Sequence, residues 1–262
     1  MRIGDMRMDG GMWASMESGA LMRATRAGAL EEVTRLAGAS GVDVNASEGD
    51  VWGRTPLHWA VARGHAGMTA VLAGAPGVDV NRANWLGVTP LQSASDVGHV
   101  DVVEALLRAA GVDVNLASKC GQAPLHKAAW GGHSGVVGVL LGAPGIRVDA
   151  RDGWGATPLR LAVQQGHVSV AKALLEAGAD VGEADRNVVG DPLLDVVCKR
   201  LPGLQPMECV SAVRRRLGPI LLLLLLCTGL PAPLALPMAI DALSDDPSAH
   251  LIALLLQKGA TR

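Results

Sequence analysis

Histidine is the side chain here best able to act as base or metal ligand, and the chain carries seven. Four of them, His65, His99, His133 and His167, recur 34 residues apart, each directly after a glycine. If each ends an equivalent helix, equivalent atoms lie roughly 8–10 Å apart. Zinc needs its ligands about 2 Å from the ion, so such a ladder cannot chelate, and no metal site is expected. His58 and His126 stand in TPLHWA and APLHKA, where the sister blocks TPLQ and TPLR hold Gln92 and Arg160. A general base must be one particular residue beside one nucleophile, and a position that accepts Gln or Arg does not behave so. No GxSxG, Walker or HExxH pattern occurs, so neither an enzyme nor a cofactor is expected.

Tryptophan is the other chemically distinct residue. The chain has six Trp and no Phe or Tyr, so its core must be aliphatic. Four cysteines, Cys120, Cys198, Cys209 and Cys227, form no CxxC pair. They read as reduced thiols of an intracellular protein, cytoplasmic or nuclear. A net charge of -2 offers no field for nucleic acid. Residues 1–19, rich in Met and Gly and without an apolar signal core, read as a disordered leader, and Met16 stands as an alternative start to Met1.

The elements that must position these residues follow from self-similarity. TPLHWAVARGH (55–65) recurs as TPLQSASDVGH (89–99), APLHKAAWGGH (123–133) and TPLRLAVQQGH (157–167). Each is followed by an apolar helical pattern and then by GVDVN (77–81), GVDVN (111–115) or GIRVD (145–149). Thr55, Thr89 and Thr157 suit a helix N-cap with Pro next at the first helical position. Gly64, Gly98, Gly132 and Gly166 suit the left-handed residue that ends that helix. Val100, Val103, Leu106 and Leu107 are expected on one buried face of a second helix. A single such unit buries too little to fold alone, so units must stack.

These blocks resemble the ankyrin repeat, with a period one residue longer than usual. The resemblance implies an all-α fold, an α-solenoid of stacked ankyrin repeats with short β-hairpin connections. Its units fall near 21–54, 55–88, 89–122, 123–156 and 157–190 within a repeat domain of 20–200, degenerate from 191. It also implies a non-enzymatic module, here expected to be monomeric, that binds a protein partner through its concave face and hairpin tips. Trp59 and Trp130 fall on first helices, which line that face, and Trp52, Trp85 and Trp154 fall in the hairpin connections. Trp is enriched among interface anchors. Arg63, Asp96 and Lys127 vary between units on the same inner strip. The expected partner site is therefore Trp52, Trp59, Arg63, Trp85, Asp96, Lys127, Trp130 and Trp154, with Trp59 and Trp130 anchoring a concave groove.

Composition shifts beyond residue 200, where seven of the 14 prolines fall. Residues 201–262 read as divergent C-terminal repeats, with HLIALLLQKGA (250–260) resembling a second helix. The uncharged run 217–240 reads as a buried solenoid end. The alternative is a membrane anchor, since about 20 apolar residues span a bilayer and Arg214, Arg215 and Arg216 flank the run. CVSAVRRRLG followed by LPAP (230–233) also resembles a SOCS box, which implies a substrate adaptor of a cullin ubiquitin ligase. Here the leucine required four residues before Cys209 is replaced by Gln205.

Overall fold

The computed structural model describes residues 10–47 and 50–180, which form ten α-helices. They fall into two compact units, Met1–Pro124 with Ala143–Gly145, and Leu125–Gly142 with Ile146–Arg262. Unit one holds α1 (Gly10–Ala27), α2 (Leu30–Ala37), α3 (Pro56–Ala62), α4 (Ala66–Ala73), α5 (Pro90–Val97) and α6 (Val100–Leu107). Unit two holds α7 (Pro124–Gly131, from its second residue), α8 (Ser134–Leu141), α9 (Pro158–Gln165) and α10 (Val168–Glu176). In unit one α1 packs on α3 and α3 on α5, while α2 packs on α4 and α4 on α6. First helices stack on first helices and second on second. In unit two α8 packs on α10, which pairs with α9.

The helices start and stop where their residues require. Thr55 and Thr89 cap α3 and α5, their hydroxyls accepting the N–H of His58 and Gln92, with Pro at the first turn. Gly64, Gly98, Gly132 and Gly166 all adopt positive φ after a first helix. That glycine has a second role: a Cβ on Gly64 would stand 3.0 Å from the His99 ring, and one on Gly132 2.6 Å from His167. At these two places the Gly-His signature is a packing pair, in which the histidine of one repeat lies over the bare glycine of the repeat before it. His167 also reaches the Trp130 carbonyl through Nε2 at 3.0 Å.

The core is aliphatic. Leu57, Leu91, Leu125 and Leu159 are buried in the first helices, and Leu72, Leu106, Leu140 and Leu174 in the second. On α6 the buried face is Val102, Val103, Ala105 and Leu106, while Val100 and Leu107 are half-buried. The buried face is therefore turned from the expected one, keeping Val103 and Leu106 and taking Val102 and Ala105 in place of Val100 and Leu107.

Two other expectations change. The helix α1 begins at Gly10, inside the stretch 1–19 expected to be a disordered leader. Its C-terminal half is anchored by buried Leu21 and Met22, and Ser18 accepts the Asp43 N–H at 2.9 Å. Once that half is fixed, adding further helical residues costs little. The connections expected as β-hairpins fold back as turns, and no strand occurs among the described residues. Each turn closes on a backbone bond such as Asn84 N–H to Val88 O (2.9 Å) or Ser118 N–H to Gln122 O (2.9 Å). Residues 201–262 lie outside the described residues, and with them the divergent repeats, the run 217–240 as solenoid end or membrane anchor, and the SOCS-box-like segment. Among the described residues no helix is long and apolar enough to cross a membrane.

Successive repeats are tied by side chains. The Thr55 N–H donates to His58 Nδ1 (3.2 Å), and His58 Nε2 meets the Val88 carbonyl of the next turn at 3.0 Å. A carbonyl only accepts, so Nε2 carries the proton and the ring is neutral. Gln92 makes the same pair of bonds with an amide. Its Oε1 accepts from Thr89 N–H (2.9 Å), and its Nε2 donates to Leu116 O (2.6 Å) and Gln122 O (2.7 Å). His126 Nε2 reaches Ala156 O at 3.1 Å. At Arg160 the Thr157 hydroxyl still caps the helix, but a guanidinium has no acceptor to return the bond. A second ladder runs through the loops: Asn45 donates to Gly77 O and accepts the Asp79 N–H, both at 2.8 Å, and Asn81 repeats this with Gly111 and Asp113.

Two outcomes follow. His58→Ala, which orphans the Thr55 N–H and the Val88 carbonyl, should lose about 1–3 kcal/mol in urea unfolding. His58→Gln should lose much less, because Gln92 shows that the amide makes both bonds. Burial holds the His58 and His126 pKa below the ordinary 6.5, and for His58 the Arg54 charge adds to this. The unfolded chain then binds protons that the folded chain refuses, so stability is full above pH 6.5 and falls as pH drops through it toward the depressed folded values. Thermal midpoints of His58→Gln/His126→Gln should change less between pH 7.5 and 5.5 than those of the wild type.

Candidate functional site

Three of the turns between repeats are each built by one short polar side chain. Asp50 accepts the N–H of Trp52 (3.0 Å) and Arg54 (2.8 Å), and Asn84 those of Leu86 (2.9 Å) and Val88 (3.0 Å). Asp152 accepts those of Trp154 (2.9 Å) and Ala156 (2.8 Å). Such Asx turns leave the two residues after the polar one at the outermost point of the chain. Gly53, Gly87, Gly121 and Gly155 then take the positive φ that closes each turn.

At those outermost places stand Val51 and Trp52, Trp85 and Leu86, Lys119 and Cys120, and Gly153 and Trp154. In unit one Val51, Trp52, Trp85 and Leu86 are 51–74% exposed. Their turns are joined edge to edge, Trp85 N–H donating to Trp52 O (3.1 Å) and Lys119 N–H to Leu86 O (3.4 Å). A Cβ on Gly53 would lie 2.4 Å from the Trp85 indole, so that ring rests across the glycine of the preceding turn. Lys119 rests across Gly87 in the same way. The result is one ordered apolar strip. In unit two Trp154 is 65% exposed at its turn and Trp130 49% exposed near the end of α7.

Trp59 is placed differently. Its ring is half-buried, with the Arg54 guanidinium 3.9 Å and the Arg26 guanidinium 4.5 Å from its centre. Both arginines also meet the buried Asp50 carboxylate, Arg54 at 3.0 Å and Arg26 at 3.4 Å. Burial pushes the Asp50 pKa up, and bonds from the Arg54 side chain and the Arg54 and Trp52 N–H groups outweigh it, leaving the carboxyl below its usual range. The Trp59 Nε1 is buried and meets no hydrogen-bond partner among the described residues. Guanidinium on indole contributes about 0.5–2 kcal/mol per contact, which ties α1 to α3 and to the first turn. Trp59 is therefore engaged inside the fold.

Of the other residues expected at the site, Arg63 is exposed at the end of α3 and Asp96 is exposed on α5. Lys127 is half-buried on α7. The sequence reading missed Val51 and Leu86, although the signal was present, since each neighbours a Trp between the turn-building Asp or Asn and the closing Gly. Among the described residues no three His, Cys, Asp or Glu groups gather as a metal site.

The family model described as ankyrin repeats, in three copies, matches residues 21–118 and again 110–185. The chain belongs to the ankyrin-repeat family. Repeats of this family are generally protein–protein interaction modules and typically non-enzymatic. No curated protein matches the chain.

The Asp50 cluster makes its own prediction. Asp50→Ala removes the acceptor of two turn N–H groups and of both guanidiniums, and should lower unfolding stability by about 1–3 kcal/mol. Trp59 emission should shift to the red as Arg26 and Arg54 leave its ring, read against a Trp59→Leu control.

Proposed function

We propose that this ankyrin-repeat protein is a non-enzymatic binding module that holds a protein partner, chiefly through the turn tips and with help from exposed residues of the first helices. The observation that carries this reading is the strip Val51, Trp52, Trp85 and Leu86, which leaves large apolar side chains in water on adjoining turns of one unit. Contiguous exposed apolar surface marks interaction sites. Trp52 and Trp85 are the natural anchors. Their backbones are fixed by turn hydrogen bonds, so little conformational entropy is lost when a partner covers them. Trp130 and Trp154 offer the same chemistry on unit two. Trp59 contributes by stiffening the first repeat, with its exposed edge secondary.

The steady variation among Arg63, Asp96 and Lys127 at the inner positions suits selection of a protein surface, and the absence of any recurring nucleophile–base pair suits a binding role. Affinity purification followed by mass spectrometry tests the reading. Trp52→Ala/Trp85→Ala should lose at least tenfold in the recovery of the wild-type partners, at an unchanged thermal midpoint. Equal recovery of the same partners by the variant would contradict the turn tips as the binding surface.

A further inference from the structure

The charges around the unit-one strip are unevenly committed. Asp43, Asp79 and Asp113 each turn an oxygen onto a local backbone donor, the N–H of Asn45 (2.9 Å), Asn81 (3.1 Å) and Asn115 (2.9 Å). Asp50 is buried and held by Arg54 and Arg26. Glu48 lies outside the described residues. Arg82 and Lys119 are both exposed, and neither meets a carboxylate among the described residues. Arg82 precedes Trp85 by three residues, its N–H bonded to Asp79 O at 3.2 Å in the turn just before the one that Asn84 builds. Lys119 is bonded through its backbone to Leu86, and its side-chain stem crosses Gly87. Two cations that meet no carboxylate among the described residues therefore lie near the apolar strip, Lys119 bonded to Leu86 and Arg82 three residues before Trp85.

We propose that the strip Val51–Trp52–Trp85–Leu86 takes an extended segment of a partner protein that combines apolar and acidic side chains. Its apolar residues lie on the indoles and on Leu86, and its carboxylates face Arg82 and Lys119. Three features favour a peptide over an anionic bilayer. The Trp85 ring rests flat across Gly53 and offers a face instead of a projecting edge. The same loops expose Asp43, Asp79 and Asp113, which a sheet of anionic headgroups would have to meet. A peptide can place its acids against the two cations alone and leave those aspartates in water. Guanidinium and ammonium groups at the rim of an interface add chiefly to association rate and selectivity, so binding should weaken with salt. The proposal rests on the turn tips being the binding surface, and its test separates the two.

The whole chain is used to select from a displayed library of random twelve-residue peptides, and the enriched peptides are titrated by fluorescence anisotropy. Expected are peptides rich in Asp or Glu together with Leu, Ile, Val or Trp. They should bind at least tenfold more weakly to Arg82→Glu/Lys119→Glu and to Trp52→Ala/Trp85→Ala, at unchanged thermal midpoints, and several-fold more weakly at 500 mM than at 50 mM salt. Enriched peptides without excess acid, or binding to the charge-reversed protein within twofold of wild type, overturn the acidic class. A loss confined to the tryptophan variant would then leave the turn tips standing. Undiminished binding by the tryptophan variant overturns both. A library that yields no enriched peptide, or tryptophan-dependent co-sedimentation with phosphatidylserine vesicles in its place, overturns a peptide as the occupant.

Discussion

The fold depends on a bond that crosses from one repeat to the next. The polar side chain three residues after the capping position accepts from the cap's own N–H and donates to a carbonyl of the following turn. His58, Gln92 and His126 all supply the donating half, with contacts of 2.6–3.1 Å. Burying that side chain removes water as an alternative partner, and leaving either end unmade costs about 1–3 kcal/mol. The turn is thereby held against the helix before it. What is displayed on those turns inherits that rigidity, including Trp85 and Trp154. In this sense the chemistry of histidine is spent on architecture: a neutral ring with one donor and one acceptor, interchangeable with an amide of similar reach.

The glycine–histidine pairs have the same logic at the opposite end of the first helix. Positive φ at Gly64 and Gly132 ends the helix, and the missing Cβ admits the ring of the next repeat's histidine. A periodic histidine ladder that looks like a candidate for metal chemistry is explained by contact with glycine, and at His167 by a bond to the Trp130 carbonyl. The asparagines of GVDVN form a third line of inter-repeat bonds through the loops. Three independent side-chain lines therefore bind repeat to repeat, which lets a core without Phe or Tyr hold its geometry.

The repeat period, the threonine caps, the helix-ending glycines and the all-α class were legible in the sequence, because each rests on local rules of backbone geometry. The role of Trp59 was not. Its partners Arg26 and Arg54 lie on another helix and on the turn before it, and Asp50, which gathers them, reads in the sequence as one more turn residue. Nothing local distinguishes a tryptophan facing water from one beneath two guanidiniums. The start of α1 was also obscured, because glycine and methionine near a chain end carry no helix signal until the buried Leu21 and Met22 anchor the turns after them. The turn tips were half legible. The tryptophans drew attention to them, while Val51 and Leu86 became part of the strip only when adjoining turns were seen bonded edge to edge.

The claim that the buried histidines are neutral bridges is open to direct measurement. Long-range 1H–15N correlation of the imidazole nitrogens, recorded on the whole chain between pH 7.5 and 5.5, reports tautomer and charge for each ring. The account predicts that His58 and His126 carry their proton on Nε2 alone and keep that form below pH 6.5. A proton on Nδ1, or conversion to the cation at the ordinary histidine pKa in the folded protein, would contradict it.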